Sequence, residues 1–246
     1  MAILLLIRHG RTKANISGVL AGRTTGVGLD EVGVRQVADL GTRLAGVPLA
    51  AVIASPLQRT VETARALYDA TPATGEAASR PPLRKDIRLA EVKYGEWEGK
   101  HLSKLAKEPL WRTVQQYPSQ VTFPGGESLR SVQARSVEAV REHDAAVRAE
   151  HGDDAVWAVV SHGDVIKAIL ADALGCHLDL FQRIGVDPAS VSVVRYTSER
   201  PFVVRMNDSS ISLGEALKPA PPRKGRKRAA TKRTDAAVGG GAGGIR

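Results

Sequence analysis

Two short apolar runs in this chain, Ile3–Ile7 and Val156–Val160, end close to the same pair of residues, in Arg8-His9-Gly10 and Ser161-His162-Gly163. A strand that is apolar without alternation is covered on both faces, as in a parallel sheet held between two layers of helices. A third run, Ala51–Ala54, leads into Ser55-Pro56-Leu57-Gln58-Arg59. Each run is followed by a helix-like segment. After Asp30, read as an N-cap, Val34, Val37, Gly41 and Leu44 fall on one helical face. Leu57–Tyr68 follows Pro56, a residue suited to a helix start. Asp164–Leu174 follows the second His-Gly, with Asp164 read as its N-cap. Leu129, Val132, Val140 and Val147 mark a long helix from about Ser128 to Glu150. Val191–Tyr196 and Phe202–Arg205 read as further strands near an edge, and residues 70–86 as a loop. This alternation predicts an α/β fold, a three-layer α/β/α sandwich with a largely parallel central sheet.

The charge is unevenly placed. Residues 218–246 hold nine Lys/Arg and one acid, whereas residues 1–217 hold 26 basic and 25 acidic side chains. The net charge of +9 therefore belongs mostly to the last segment and says nothing of a basic face on the body. Residues 1–217 are expected to form one domain. Residues 218–246, rich in Pro, Lys/Arg and then Gly, cannot bury a core and are expected to be a disordered tail. The run Arg223–Arg228 suits non-specific contact with nucleic acid or other polyanions, but it has no aromatic residue for base stacking, so a solvated tail is the weightier expectation. One cysteine, Cys176, excludes an internal disulfide and fits a reducing compartment. The opening apolar run lacks a basic leader and a cleavage site, and no run approaches the roughly 20 apolar residues needed to span a bilayer. A soluble, cytoplasmic protein is expected, with oligomeric state left open.

In open α/β sheets, ligands bind beyond the carboxyl ends of the strands. His9, His162, Arg8 and Arg59 are therefore expected to converge at one edge of the sheet. The arginine fork matches a phosphate dianion, and a helix start after Gly163 would add backbone N–H groups. A neutral imidazole is a competent nucleophile toward phosphorus once its tautomer is fixed. No His-Glu-x-x-His, Cys-x-x-Cys or paired-Asp cluster is present, nor a Gly-x-x-x-x-Gly-Lys-Ser/Thr loop, so neither a metal nor a cofactor is expected.

Four blocks carry a resemblance: Arg8-His9-Gly10 with Asn15, Ser55–Arg59, Leu89-Ala90-Glu91 with Gly95–Gly99, and Ser161-His162-Gly163. In this order they resemble the histidine phosphatase superfamily, in its phosphoglycerate mutase-like branch, over residues 3–208. The resemblance implies that His9 becomes phosphorylated. It implies that Arg8, Arg59 and His162 hold the phosphoryl oxygens with Asn15 assisting. Glu91 would protonate the leaving alcohol and then act as base on water. Glu96 and Glu98 lie close by, and only the family's Leu-x-Glu pattern favours Glu91. Asp164 is read as a helix cap rather than an acid. Glu91 and His162 stand 71 positions apart, which is short for the segment that shields the phosphohistidine in mutases. The expected function is a metal-independent phosphomonoesterase acting on a small phosphorylated metabolite. The alternatives are a phosphomutase of the same family and a catalytically silent module that binds a phospho-ligand or nucleic acid. Substrate choice is expected in loops 16–27, 93–127 and 183–190. Arg23, Lys93, Tyr94 and Arg112 are candidates there, although surface solvation is the expectation for each.

Overall fold

The structure is a computed structural model that describes residues 2–70, 82–209 and 238–240. Its elements run β1 (Ile3–Arg8), α1 (Lys13–Ser17), α2 (Glu31–Leu44), β2 (Leu49–Ala54), α3 (Gln58–Ala70), β3 (Leu83–Lys85), α4 (Leu102–Leu105), α5 (Pro109–Gln116), α6 (Leu129–His151), β4 (Val156–Ser161), α7 (Gly163–Ala173), β5 (Val191–Tyr196) and β6 (Pro201–Asp208), joined by 3-10 turns. The six strands form one sheet in the order β3-β2-β4-β1-β5-β6. The pairs β1–β4, β2–β4 and β2–β3 are parallel, while β5 runs antiparallel to β1 and β6 antiparallel to β5. The fold is thus an α/β sandwich on a mixed sheet whose larger half is parallel.

The uninterrupted apolar runs explain the layering. Successive side chains of a strand point to opposite faces. Leu5, Ile7, Val52, Ala54, Ala158 and Val160 pack on one face against Val37 and Leu40 of α2 and Ala64 and Leu67 of α3. Leu4, Leu6, Ile53, Trp157 and Val159 pack on the other, against Val132, Val140 and Val147 of α6 and Ile166 and Ile169 of α7. The Trp157 indole N–H within this second core donates to Asp144 at 3.1 Å.

Several expectations need correction. Val34 is exposed, and the buried stripe of α2 is Gly33, Val37, Leu40 and Gly41. Gly33 sits so close to the preceding loop that a Cβ there would lie 2.1 Å from the Arg11 carbonyl oxygen, so α2 meets that loop through the Gly33 face. Asp164 does not cap α7. His162 is the N-cap, with extended backbone, and Asp164 lies inside the first turn, where its carboxylate accepts the Tyr94 hydroxyl at 2.7 Å. Within the expected loop 70–86, Leu83–Lys85 form an edge strand beside β2 and Ala70 ends α3, while residues 71–81 lie outside the described residues. The boundary at 217 and most of the stretch 218–246 also lie outside them, except Val238–Gly240. No described helix is long and apolar enough to cross a membrane.

Candidate active site

The site forms where β2, β4 and β1 end side by side. The register pairs Arg8 of β1 with Ser161 of β4, and Ala54 of β2 with Val160. His9 and His162 therefore leave adjacent strand ends, and Ser55 leaves the third. The His9 amide N–H donates to the Ser161 carbonyl at 3.1 Å and the Ser55 amide to the Val160 carbonyl at 2.9 Å, which ties the three exits together. The Gly10 amide donates to the Thr63 hydroxyl at 3.1 Å. Gly10 must be glycine, because a Cβ there would stand 2.7 Å from the Gly33 carbonyl oxygen.

The structure brings Arg8, His9, Arg59, Glu91 and His162 together. Each of the five is nearly or fully buried. The imidazoles of His9 and His162 lie 5.3 Å apart, centre to centre. His9 Nδ1 lies 2.7 Å from the Gly10 carbonyl oxygen. A carbonyl can only accept, so the proton sits on Nδ1 and Nε2 keeps its lone pair. That lone pair accepts a long hydrogen bond of 3.3 Å from Arg59 Nε. Burial, then the nearby cations Arg59 and Arg8, hold the His9 pKa well below its ordinary value, so the ring is neutral at pH 7.

His162 is wired the other way round. Its Nε2 lies 2.8 Å from the Ser55 hydroxyl oxygen. That oxygen also accepts the Leu57 amide at 3.4 Å, and a hydroxyl can serve Nε2 either as donor or as acceptor. Nδ1 is buried with no hydrogen-bond partner among the described residues, 3.9 Å from Glu91 Oε2. Burial and the charge of Arg59 push the His162 pKa well below its ordinary value, so this contact is not an ion pair at neutral pH.

Glu91 is held through its backbone. Its carbonyl accepts Arg23 Nε at 2.8 Å, and the preceding turn is tied to β4 by the Ser161 hydroxyl donating to the Leu89 carbonyl at 2.8 Å. One carboxyl oxygen accepts the Val92 amide at 3.0 Å. Burial, reinforced by the like charge of Asp164, raises the Glu91 pKa to about 7. A carboxyl group with that pKa can give and take a proton near neutral pH. The neighbouring glutamates are placed differently: Glu96 is exposed, and Glu98 accepts the Tyr94 amide at 3.1 Å.

Arg59 donates through Nη2 to the Gly22 carbonyl at 2.8 Å, while its Nη1 is buried without a hydrogen-bond partner among the described residues. Arg8 Nη1 donates to the Val186 carbonyl at 2.7 Å, and burial lowers its pKa to about 10, which leaves it charged at pH 7. Asn15 lines the same hollow, its side-chain oxygen accepting from the Thr12 amide at 3.0 Å. Gly163 opens α7 beside His162. A buried donor left unsatisfied costs about 1–3 kcal/mol, so Arg59 Nη1 calls for an acceptor-rich anion. Among the described residues no group of three or more His, Cys, Asp or Glu could hold a metal ion.

Of the loop candidates, Arg23 pairs with Glu127 at 3.0 Å and Arg112 bonds Gln116 at 3.1 Å. Tyr94 departs from the surface role expected of it and is fully buried against Asp164. Ser55 and the Tyr94–Asp164 pair are the parts of the site that sequence reasoning missed. The signals available for Ser55 were its place at the end of an apolar run and at the head of the Ser55–Arg59 block.

The family model for the histidine phosphatase superfamily, branch 1, matches residues 4–209. The chain belongs to this superfamily. It is 31% identical over 210 residues to phosphoserine phosphatase 1 of Hydrogenobacter thermophilus, a match spanning 84% of this chain and 92% of that one. It is 32% identical over 176 residues to the 2,3-bisphosphoglycerate-dependent phosphoglycerate mutase 2 of Gloeobacter violaceus, covering 70% and 75% of the two chains. Among solved structures, a mycobacterial glucosyl-3-phosphoglycerate phosphatase, in complex with VO3, superposes with a TM-score of 0.74 at 25% identity, over 84% of this chain and 99% of that one. These relatives are named as phosphatases and a mutase.

Proposed function

We propose that this chain is a phosphomonoesterase that needs no metal and works through a phosphohistidine at His9 on a small phosphorylated metabolite. The single observation that carries the reading is the neutral His9 ring, its Nδ1 proton tied to the Gly10 carbonyl and its Nε2 lone pair facing buried Arg59. In the first step Nε2 attacks phosphorus as the bond to the alcohol oxygen breaks. The carboxyl of Glu91 gives its proton to that oxygen, and the alcohol leaves. In the second step the Glu91 carboxylate takes a proton from water, the water oxygen attacks phosphorus, and the N–P bond breaks to return neutral His9 and free phosphate. Arg8, Arg59 and the Nδ1–H of His162 hold the equatorial oxygens, with Asn15 and the α7 amides beside Gly163 assisting. Such positioning and charge stabilisation supply most of what phosphoryl transfer requires.

The similarity to the Gloeobacter mutase favours a second reading, in which the acceptor is another alcohol rather than water. The two share the first half-reaction. The deciding experiment is hydrolysis of a chromogenic aryl phosphate and of phosphoglycerates, with and without EDTA, by wild type and His9→Ala, followed by quench trapping of acid-labile phosphate on His9. EDTA-resistant hydrolysis lost in the variant is the expected result. Equal activity in the variant sinks the His9 assignment, and phosphate exchange between phosphoglycerates without hydrolysis turns the reading to the mutase.

A further inference from the structure

The hollow beside His9 and Arg59 has a wall that comes from far along the chain. Val238 and Gly239, from the stretch expected to be an unstructured tail, line it together with Glu91 and Tyr94. Val238 is only 2% exposed and joins the apolar core that holds Leu20 and Tyr94. The Gly239 peptide is held at both ends. Its N–H donates to Asp164 Oδ2 at 2.9 Å, and its carbonyl accepts Arg8 Nη2 at 3.4 Å. Asp164 Oδ2 is the same oxygen that accepts the buried Tyr94 hydroxyl. The backbone at Gly239 has φ +71°, and a Cβ there would approach Leu20 Cδ1 to 2.9 Å. Only glycine combines that left-handed conformation with so close a fit.

We infer that Val238–Gly239 is a built-in occupant of the substrate pocket, an autoinhibitory segment that a phosphoryl ligand must displace. The inference rests on the phosphatase reading for its consequence in rate. The contest is chemical as well as steric. Gly239 takes a hydrogen bond from Arg8, the cation that would otherwise serve phosphoryl oxygens, and its N–H occupies the Asp164 oxygen nearest Tyr94. A protein whose competent state is only partly populated binds its ligand more weakly by that fraction. The bond from Arg8 to the Gly239 carbonyl is long, at 3.4 Å, so an anion that takes Arg8 can break it.

The test keeps the full chain. Gly239→Pro removes the donor to Asp164 and cannot adopt the positive φ, and Val238→Ser withdraws the apolar anchor. Each is assayed for aryl phosphate hydrolysis, and for binding of inorganic phosphate by calorimetry. Release of the plug is expected to lower KM and the phosphate Kd together, by about five- to tenfold for Gly239→Pro and less for Val238→Ser, with kcat within about twofold of wild type. Tighter phosphate binding in the variants, with hydrolysis absent from wild type and variants alike, would uphold the plug and remove the phosphatase reading. Unchanged or weaker phosphate binding in Gly239→Pro would overturn the inference, and a raised KM would make the segment a wall that substrate needs.

Discussion

The ends of β1 and β4 carry the same His-Gly pair and face the same hollow, yet they present opposite ring nitrogens to it. His9 has Nδ1 committed to its own neighbour, the Gly10 carbonyl, and shows Nε2. His162 has Nε2 committed to Ser55, from a different strand, and shows Nδ1. The first arrangement leaves a lone pair, and in the reading proposed here the second leaves a proton. Two residues of one type thus become a nucleophile-like group and a donor-like group solely through the partner of the other nitrogen. Their shared burial and shared arginine neighbours, which keep both rings neutral, do not distinguish them.

If that difference governs their chemistry, removing each ring has unequal effects. His9→Ala is expected to lose at least about a thousandfold in kcat, because it removes the ring whose lone pair would form the covalent intermediate. His162→Ala loses a donor to the phosphoryl group, and a drop of about a hundredfold is expected. The sharper readout is the intermediate itself. His162→Ala still traps acid-labile phosphate from a reactive aryl phosphate, and His9→Ala traps none. Trapped phosphate in His9→Ala would erase the distinction between the two strand ends.

Glu91, whose Oε2 lies 3.9 Å from His162 Nδ1, supplies the next test. Its pKa of about 7 means that it is protonated below neutrality and ionised above it. For alkyl phosphates, whose leaving oxygen needs a proton, kcat/KM is expected to fall as pH rises through about 7. His9 stays neutral until well below its ordinary pKa, so the acid limb is displaced far from that alkaline limb. Glu91→Gln should cost about a hundredfold or more on an alkyl phosphate, much less on an aryl phosphate with a good leaving group, and should abolish the alkaline limb. Equal losses in kcat/KM on both substrates would remove the role of Glu91 as acid to the leaving oxygen. The same raised pKa has a sign for stability. The folded protein holds this proton more tightly than the unfolded chain, so the contribution of Glu91 falls as pH rises from the ordinary carboxyl range to about 7.

How much of this was legible follows from how local each feature is. The strands β1, β2 and β4 could be read because each is an unbroken apolar run, and their order of placement put Arg8, His9, Arg59 and His162 at one edge. The strand β3 could not, since Leu83-Arg84-Lys85 has no apolar pattern and exists as a strand only because β2 offers its outer edge. Glu91 rested on a short motif, and nothing local separated it from Glu96 and Glu98; burial does. The Tyr94–Asp164 pair joins residues 70 positions apart, and the Ser55–His162 bond joins residues 107 apart. No periodicity reports contacts of that range. Val238 and Gly239 stand in a composition that argues against any packing, so their place in the hollow is visible only in three dimensions.

The smallest of these effects bears most directly on the wiring of the two rings. Ser55→Ala leaves both histidines in place and removes only the partner of His162 Nε2. A buried nitrogen then lacks its hydrogen bond, which is expected to cost about 1–2 kcal/mol in denaturant unfolding. The ring can also exchange its proton to Nε2, which would turn a lone pair toward the phosphoryl oxygens in place of a donor. A loss of about tenfold in kcat/KM is expected, with trapping of phosphate on His9 intact. Ser55→Thr keeps the hydroxyl and should restore most of the rate. A variant that lost stability but kept full activity would mean that Ser55 merely fills its site, and that the tautomer of His162 is fixed by the field of Arg8, Arg59 and Glu91 instead.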